Sequence, residues 1–153
     1  MLEPSRISDE ADENIDNGLD MLSFASIKEA FSVREDDIID EAILNKWSNI
    51  QKIFKDKTLQ IMPRNLKMVK NYCAVACRCM EHDTPSTKFA PLDYAVSQKI
   101  LPTINGTGDN YRELIDELIK ECTAQSMPLT AKHLVRMKSI AENNMGFYQF
   151  FSK

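Results

Sequence analysis

Glycine is scarce in this chain, with four residues in 153, and there are only two histidines and one tryptophan. A nucleotide hydrolase needs a glycine-rich loop ending in Gly-Lys-Ser/Thr to cradle phosphates and place the metal. Gly106-Thr107-Gly108 has neither the spacing nor the lysine and reads as a turn. His82 and His133 lie near no nucleophile elbow or activating motif, so the chain alone carries no recognisable Ser/His/Asp or Cys/His catalytic set. No apolar run approaches the roughly 20 residues that span a bilayer. The N-terminus also lacks a basic segment followed by an apolar one, so the expected location is the cytoplasm, with no membrane partner. Four cysteines are too few for a disulfide scaffold, and three of them, Cys73, Cys77 and Cys79, share one helical stretch, as reduced thiols do. Cys73 and Cys77 fall on one helix face at i, i+4 while Cys79 turns away, and no paired Cys-x-x-Cys completes a zinc set with His82. These three and Cys122 therefore read as ordinary buried or half-buried thiols, and no metal is expected.

What the chain does contain is helix-forming sequence. With 43% apolar and 27% charged residues it has the composition of a globular, helix-rich domain, long enough to bury its own core. A net charge of −4 argues against a surface that is basic throughout, as a nucleic-acid footprint would be, but allows a local basic face. Residues 1–20 carry seven acids and one base with few apolar side chains, which predicts a flexible acidic arm or linker. A single helical domain is expected over residues 21–153.

Apolar periodicity predicts five or six helices. Phe24, Ile27, Lys28 and Phe31 suggest a short first helix; Ile38, Ile39, Ala42, Ile43, Trp47, Ile50 and Phe54 mark a second. Leu66, Val69, Cys73, Ala76, Cys77 and Met80 form the stripe of a third over residues 63–81, with Arg64, Lys67, Asn71 and Arg78 on or near its other side. A loop from Pro85 to Pro91 leads to a helix through Leu92, Ala95, Val96, Lys99 and Ile100, ended by Leu101-Pro102 because the residue before proline is driven out of the α region. Asn105 to Asp109 reads as a turn, with Asp109 as N-cap of a helix buried through Tyr111, Leu114, Ile115, Leu118, Ile119 and Cys122. After Pro128, Thr130 is a candidate cap for a last helix that faces Leu134, Met137, Ile140 and Ala141 inward and ends at Asn143, Asn144 and Gly146. The aromatic segment Phe147–Phe151 contains the one strand candidate and is expected to fold back and close the core.

Arg64 is the residue that asks for a ligand. Pro63 suits a first helical position, which sets Arg64, Lys67 and Lys70 in the first turns, where the helix dipole is already positive and favours anions. Free amides beside Arg64 could join it in holding a phosphate. The acid pairs Asp36-Asp37 and Glu117-Glu121 read as solvated carboxylates on polar faces. Arg64, Lys67, Lys70 and Arg78 could contact nucleic-acid phosphates non-specifically, but no aromatics interleave with them.

Four segments together resemble a known family. Asp93-Tyr94-Ala95-Val96-Ser97-Gln98-Lys99-Ile100-Leu101-Pro102-Thr103-Ile104-Asn105-Gly106 is followed by Tyr111-Arg112-Glu113-Leu114, then Leu129-Thr130-Ala131-Lys132-His133-Leu134-Val135-Arg136-Met137, and last Gly146-Phe147-Tyr148-Gln149-Phe150-Phe151. In order and spacing, over roughly residues 60–151, they resemble the C-terminal helical region of McrB-type AAA+ ATPases. The chain departs from that pattern at Thr130, where serine is frequent, and at His133, where leucine is expected and stands one place on as Leu134. Pro63-Arg64 looks like the sensor 2 arginine that opens a lid helix.

The resemblance implies an all-α, lid-like domain in which Arg64, with Lys67 nearby, contacts the phosphates of ATP or GTP held with Mg²⁺. It implies as partners an upstream nucleotide-binding domain, neighbouring subunits and a McrC-like nuclease, with DNA reached only indirectly. The setting it implies is a bacterial or archaeal restriction system, and the domain has no cofactor and no hydrolysis of its own. Two other readings stand beside it. One is a stand-alone interaction module built on residues 92–145 and the aromatic tail, in which Arg64 has no ligand; the other is a small DNA-binding regulator.

Overall fold

The computed structural model describes residues 32–151. The acidic arm expected at 1–20 and the helix expected around Phe24 to Phe31 lie outside the described residues. The chain divides after Val33, and the unit beginning at Arg34 holds every element described here. These are α1 (Glu41–Asp56), α2 (Pro63–Cys79), α3 (Ala90–Lys99), a 3₁₀ turn (Leu101–Thr103), β1 (Asn105–Thr107), α4 (Asp109–Glu121), α5 (Pro128–Asn143) and β2 (Phe147–Gln149). Five helices and one two-stranded ribbon make the architecture predominantly helical, as the periodicity predicts. None of the described helices is long and apolar enough to cross a membrane.

Helix α3 is the centre of the unit. Pro91, Leu92, Asp93, Ala95, Val96 and Ser97 are all buried in it. A helix buried on nearly every side does not show one apolar stripe, and α3 is packed by α1, α2 and α5. Around it the amphipathic helices turn in their predicted faces: Ile43, Trp47, Ile50 and Phe54 from α1, Leu114, Ile115 and Leu118 from α4, and Leu134, Met137 and Ala141 from α5. Each large apolar side chain fully buried in this way contributes about 1.5–3 kcal/mol. Ile38 falls before α1 and is 79% exposed, so the apolar period there overran the helix by one turn. Ile140 is only half-buried.

Two predicted caps are replaced. Asp109 is the first residue of α4, and Gly108 takes the cap position at φ 115°, a backbone conformation that side-chain-bearing residues rarely adopt. Thr130 is not the cap of α5 either. It lies inside the first turn, and the amides a cap would satisfy are taken by Asp93 of α3: Leu129 N–H donates to Oδ2 at 3.0 Å and Thr130 N–H to Oδ1 at 2.7 Å. The Thr130 hydroxyl returns a hydrogen bond to the Asp93 carbonyl at 3.1 Å. A carboxylate at the positive end of a helix is favoured by the dipole as well as by the two N–H donors.

The turn expected at Asn105 to Asp109 contains a strand. Asn105, Gly106 and Thr107 pair antiparallel with Gln149, Tyr148 and Phe147. The aromatic tail thus folds back as expected: Tyr148 is buried and Phe150 packs on the core, while Phe147 lies at the surface and Phe151 is 72% exposed. Gly106 lies under the Tyr111 ring, since a Cβ there would be 2.4 Å from it and the ring would have to shift to admit a side chain.

Removing the Asp93 carboxylate strands two N–H groups in the interior. Asp93→Ala is expected to destabilise the fold by about 2–3 kcal/mol, and Thr130→Val, which removes one hydrogen bond, by about 1 kcal/mol. Urea midpoints read at constant slope check both, and an Asp93→Ala midpoint equal to wild type would refute the cap.

Candidate functional site

Helix α2 begins as the sequence predicts, with Met62 at the N-cap, Pro63 first and Arg64 second. Met62 offers no side-chain cap, and its carbonyl accepts from the amides of both Asn65 at 2.9 Å and Leu66 at 3.1 Å. No acid lies in the first turn. The seventeen residues of α2 hold four cations, Arg64, Lys67, Lys70 and Arg78, and no Asp or Glu at all. Arg64, Lys67 and Lys70 are exposed, and no carboxylate among the described residues pairs with any of them. The misplaced charges predicted at this helix end are therefore present and uncompensated within the described unit.

The three do not have the same surroundings. Arg64 lies at the open terminus. Lys67 and Lys70 stand one and two turns on, at the rim of a 380 Å³ groove between α1 and α2 that is lined by Ile43, Leu44, Trp47, Leu66 and Val69. Arg78 does not belong to the basic face. Its Nη1 lies 2.8 and 2.9 Å from the two Asp37 carboxylate oxygens. Asp37, expected as a solvated acid, has a side chain only 2% exposed, and it also accepts from the Arg34 backbone N–H at 2.7 Å. A cation in the last turn of a helix is where the dipole favours it, so Arg78 is a structural residue.

The other expected solvated pair is also engaged. Glu117 lies 2.9 Å from Lys57 Nζ, and Glu113 lies 3.2 Å from it. These carboxylates hold the Lys57 ammonium above its ordinary pKa, Glu117 having the larger effect. Glu121 lies 3.4 Å from Lys46 Nζ, and its carbonyl accepts from the same ammonium. Both glutamates therefore fasten α4 to α1 and its C-terminal end. Periodicity assigns such residues to polar faces but says nothing of which polar faces meet.

His82 Nε2 lies 2.8 Å from Asp40 Oδ2, a contact across the entry to α1. His133 packs against Phe150 with ring centroids 5.0 Å apart, and burial together with Arg136 and Lys132 lowers its pKa. Among the described residues the recorded partners of His82 are Asp40 and the Met80 carbonyl and that of His133 is the Phe150 ring, none of them a Ser, Thr or Cys side chain. Among the described residues no three His, Cys, Asp or Glu side chains converge as a metal would require.

Three of the thiols follow the expected burial and one does not. Cys73 and Cys122 are buried, Cys77 is half-buried, and Cys79 is exposed because it closes α2 on the side away from the core. Burial pushes the pKa of Cys73 and of Cys122 up to about 12 from 9.0. Each keeps its proton in the folded chain at a pH where the unfolded chain has released it. That stabilisation is intact below pH 9.0 and is lost as pH rises toward about 12. Stability should therefore fall above pH 9 by up to about 1.4 kcal/mol per pH unit for each of the two thiols, and Cys122→Ala should remove that thiol's share of the slope. At neutral pH Cys79 should be the one rapidly alkylated thiol among the four, counted by intact mass after brief exposure to iodoacetamide. Rapid labelling of Cys73 or Cys122 in the folded protein would contradict this burial.

No curated protein and no solved structure matches the chain. A family model described as a domain of unknown function (DUF8727) matches residues 15–147, a span that contains Pro63-Arg64, the Asp93 cap and β1 and ends at the first residue of β2. With all but its two ends matched, the chain belongs to the DUF8727 family.

Proposed function

We propose that this unit is the helical lid of a McrB-related AAA+ NTPase, with Arg64 as its contact to the nucleotide's terminal phosphate. The observation that carries the reading is the opening of α2: an exposed arginine, with no ion pair among the described residues, second in a helix whose first turn holds no acid. An arginine fork binds phosphate oxygens in two-pronged fashion, and a charge-assisted bond of that kind is about twice as strong as a neutral one. Lys67, one turn on, adds a second positive charge toward the same end. The order of motifs along residues 60–151 agrees with such a lid.

ATP or GTP with Mg²⁺ would be held by a nucleotide-binding domain that supplies the phosphate-binding loop and the catalytic acids. This unit contributes no such residues and hydrolyses nothing alone. Its own part is mechanical. Helix α2 packs along α3, and α3 is tied through Asp93 to α5, so a pull on Arg64 moves the unit as a body. Neighbouring subunits and a McrC-like nuclease then receive that motion, with DNA reached through them in a cytoplasmic restriction system.

In the assembled enzyme Arg64→Ala should lower NTP turnover by about 100-fold or more, the usual cost of removing one preorganised charge contact to a transition state. Its folding should be unchanged, because the side chain is exposed. Unchanged turnover at matched assembly would overturn the reading.

A further inference from the structure

His82 is set between two acceptors. Its Nδ1 lies 3.2 Å from the Met80 carbonyl oxygen and its Nε2 lies 2.8 Å from Asp40 Oδ2. A carbonyl and an ionised carboxylate can only accept, whereas a neutral imidazole donates from one nitrogen and accepts at the other. Both contacts are hydrogen bonds only when the ring carries two protons, and a neutral ring must give one of them up. The Met80 contact spans two residues of one short segment, so the longer-range contact to Asp40 is the one a neutral ring loses.

Asp40 has an alternative partner. It occupies the N-cap of α1 with an extended backbone, φ −56° and ψ 139°, yet its side chain makes no cap hydrogen bond. Aspartate is among the best capping residues because its carboxylate accepts from the second or third amide of a helix, here those of Ala42 and Ile43. At this terminus the carboxylate is turned to His82 instead. It is 52% exposed and has room to rotate, while the ring, 14% exposed, is held.

We infer that Asp40 and His82 form a pH switch at the entry to α1. The imidazolium holds the carboxylate, and the neutral ring releases it to cap the helix. A cap and an ion pair to a half-exposed carboxylate are of similar strength, so one proton decides between them. Histidine is the side chain whose charge changes between pH 5 and 8. The pair exists while Asp40 is ionised and His82 protonated, and is lost as pH rises through the histidine range. Below the carboxylate range Asp40 takes up a proton and the pair is lost there too. The surrounding groups do not compete for the switch. Cys77 faces Asp40 from α2, and burial raises its thiol pKa, which keeps it neutral across this range. Arg78 stays charged, so the entry segment remains attached at Asp37 and the change is confined to Asp40. Glu41 follows Asp40, and Glu81 and Asp83 flank His82 in the chain; none of them is an ion-pair partner of the ring. Arg64 lies at the other end of α2, so the switch stands whether or not Arg64 contacts a nucleotide.

Hydrogen exchange of the full chain, followed by NMR at pH 5 and pH 8 and normalised to the intrinsic rate at each, tests this across the histidine range. The amides of Ala42 and Ile43 should be about fivefold better protected at the higher pH, the usual effect of gaining a cap, with Ile50 in the same helix unchanged. His82→Phe should show the high protection at both pH values and Asp40→Ala the low one. Nitrogen-15 shifts of the wild-type ring at the higher pH should place its one proton on Nδ1. Wild-type protection that does not change with pH overturns the switch, and this comparison needs no variant to fold. So does a change that persists in His82→Phe, one that Ile50 shares, or a neutral ring protonated on Nε2.

Discussion

The arrangement rests on one buried carboxylate. Asp93 is 4% exposed and belongs to the central helix α3, yet its two oxygens do the work of a cap for α5, thirty-six and thirty-seven residues further along the chain. A charged group this deep would be costly if left alone. It is tolerated because the start of α5 offers two N–H donors and the positive end of a dipole, while Thr130 binds back to the α3 backbone. The cost of separating the two helices therefore includes an unpaired buried charge, and this ties the angle between them more strictly than apolar packing does. The C-terminal ribbon depends on that angle, since β2 packs on α5 and β1 follows the end of α3.

Fixing α3 against α5 also fixes the platform for α2, whose most extensive packing is along α3. The inner face of α2 contributes Val69, Cys73, Ala74 and Ala76 to the core, and its outer face is left to cations. Elsewhere in the unit the structurally placed cations meet acids: Arg78 with Asp37, Lys57 with Glu113 and Glu117, and Lys46 with Glu121. The contrast separates charges that hold the fold together from charges at the start of α2 that do not. Arg64 and Lys67 are exposed near the start of α2, the end of the helix where the dipole disfavours a cation.

Much of this was legible in the sequence. The faces of α1, α4 and α5, the start of α2 at Pro63 and the return of the aromatic tail follow from apolar period and proline placement, which are local properties. What was hidden is what depends on elements meeting in space. Thr130 has the chemistry of a cap, but Pro128 sets the helix start three residues earlier than a Thr130 cap would, and the real cap comes from Asp93 in another helix. Asp109 lost its place to Gly108 because the chain leaving β1 needs a positive φ there. β1 itself is three residues of Asn, Gly and Thr, with no apolar alternation to mark it; its strand character comes from the partner β2. Arg78 and Lys67 read alike on a helical wheel, and only the approach of Asp37 distinguishes them. The candidate residue Arg64 was visible because the helix dipole argument is local and needs no partner.

A lid whose opening arginine reaches a nucleotide is a claim about distance. It is tested most directly by a structure of the assembled enzyme with a non-hydrolysable NTP analogue and Mg²⁺. The account predicts the Arg64 guanidinium within about 2.7–2.9 Å of a terminal-phosphate oxygen, the range of a charge-assisted hydrogen bond, with α2, α3 and α5 holding the geometry described. An Arg64 side chain turned to solvent, or engaged only with protein, in the nucleotide-loaded state would contradict it.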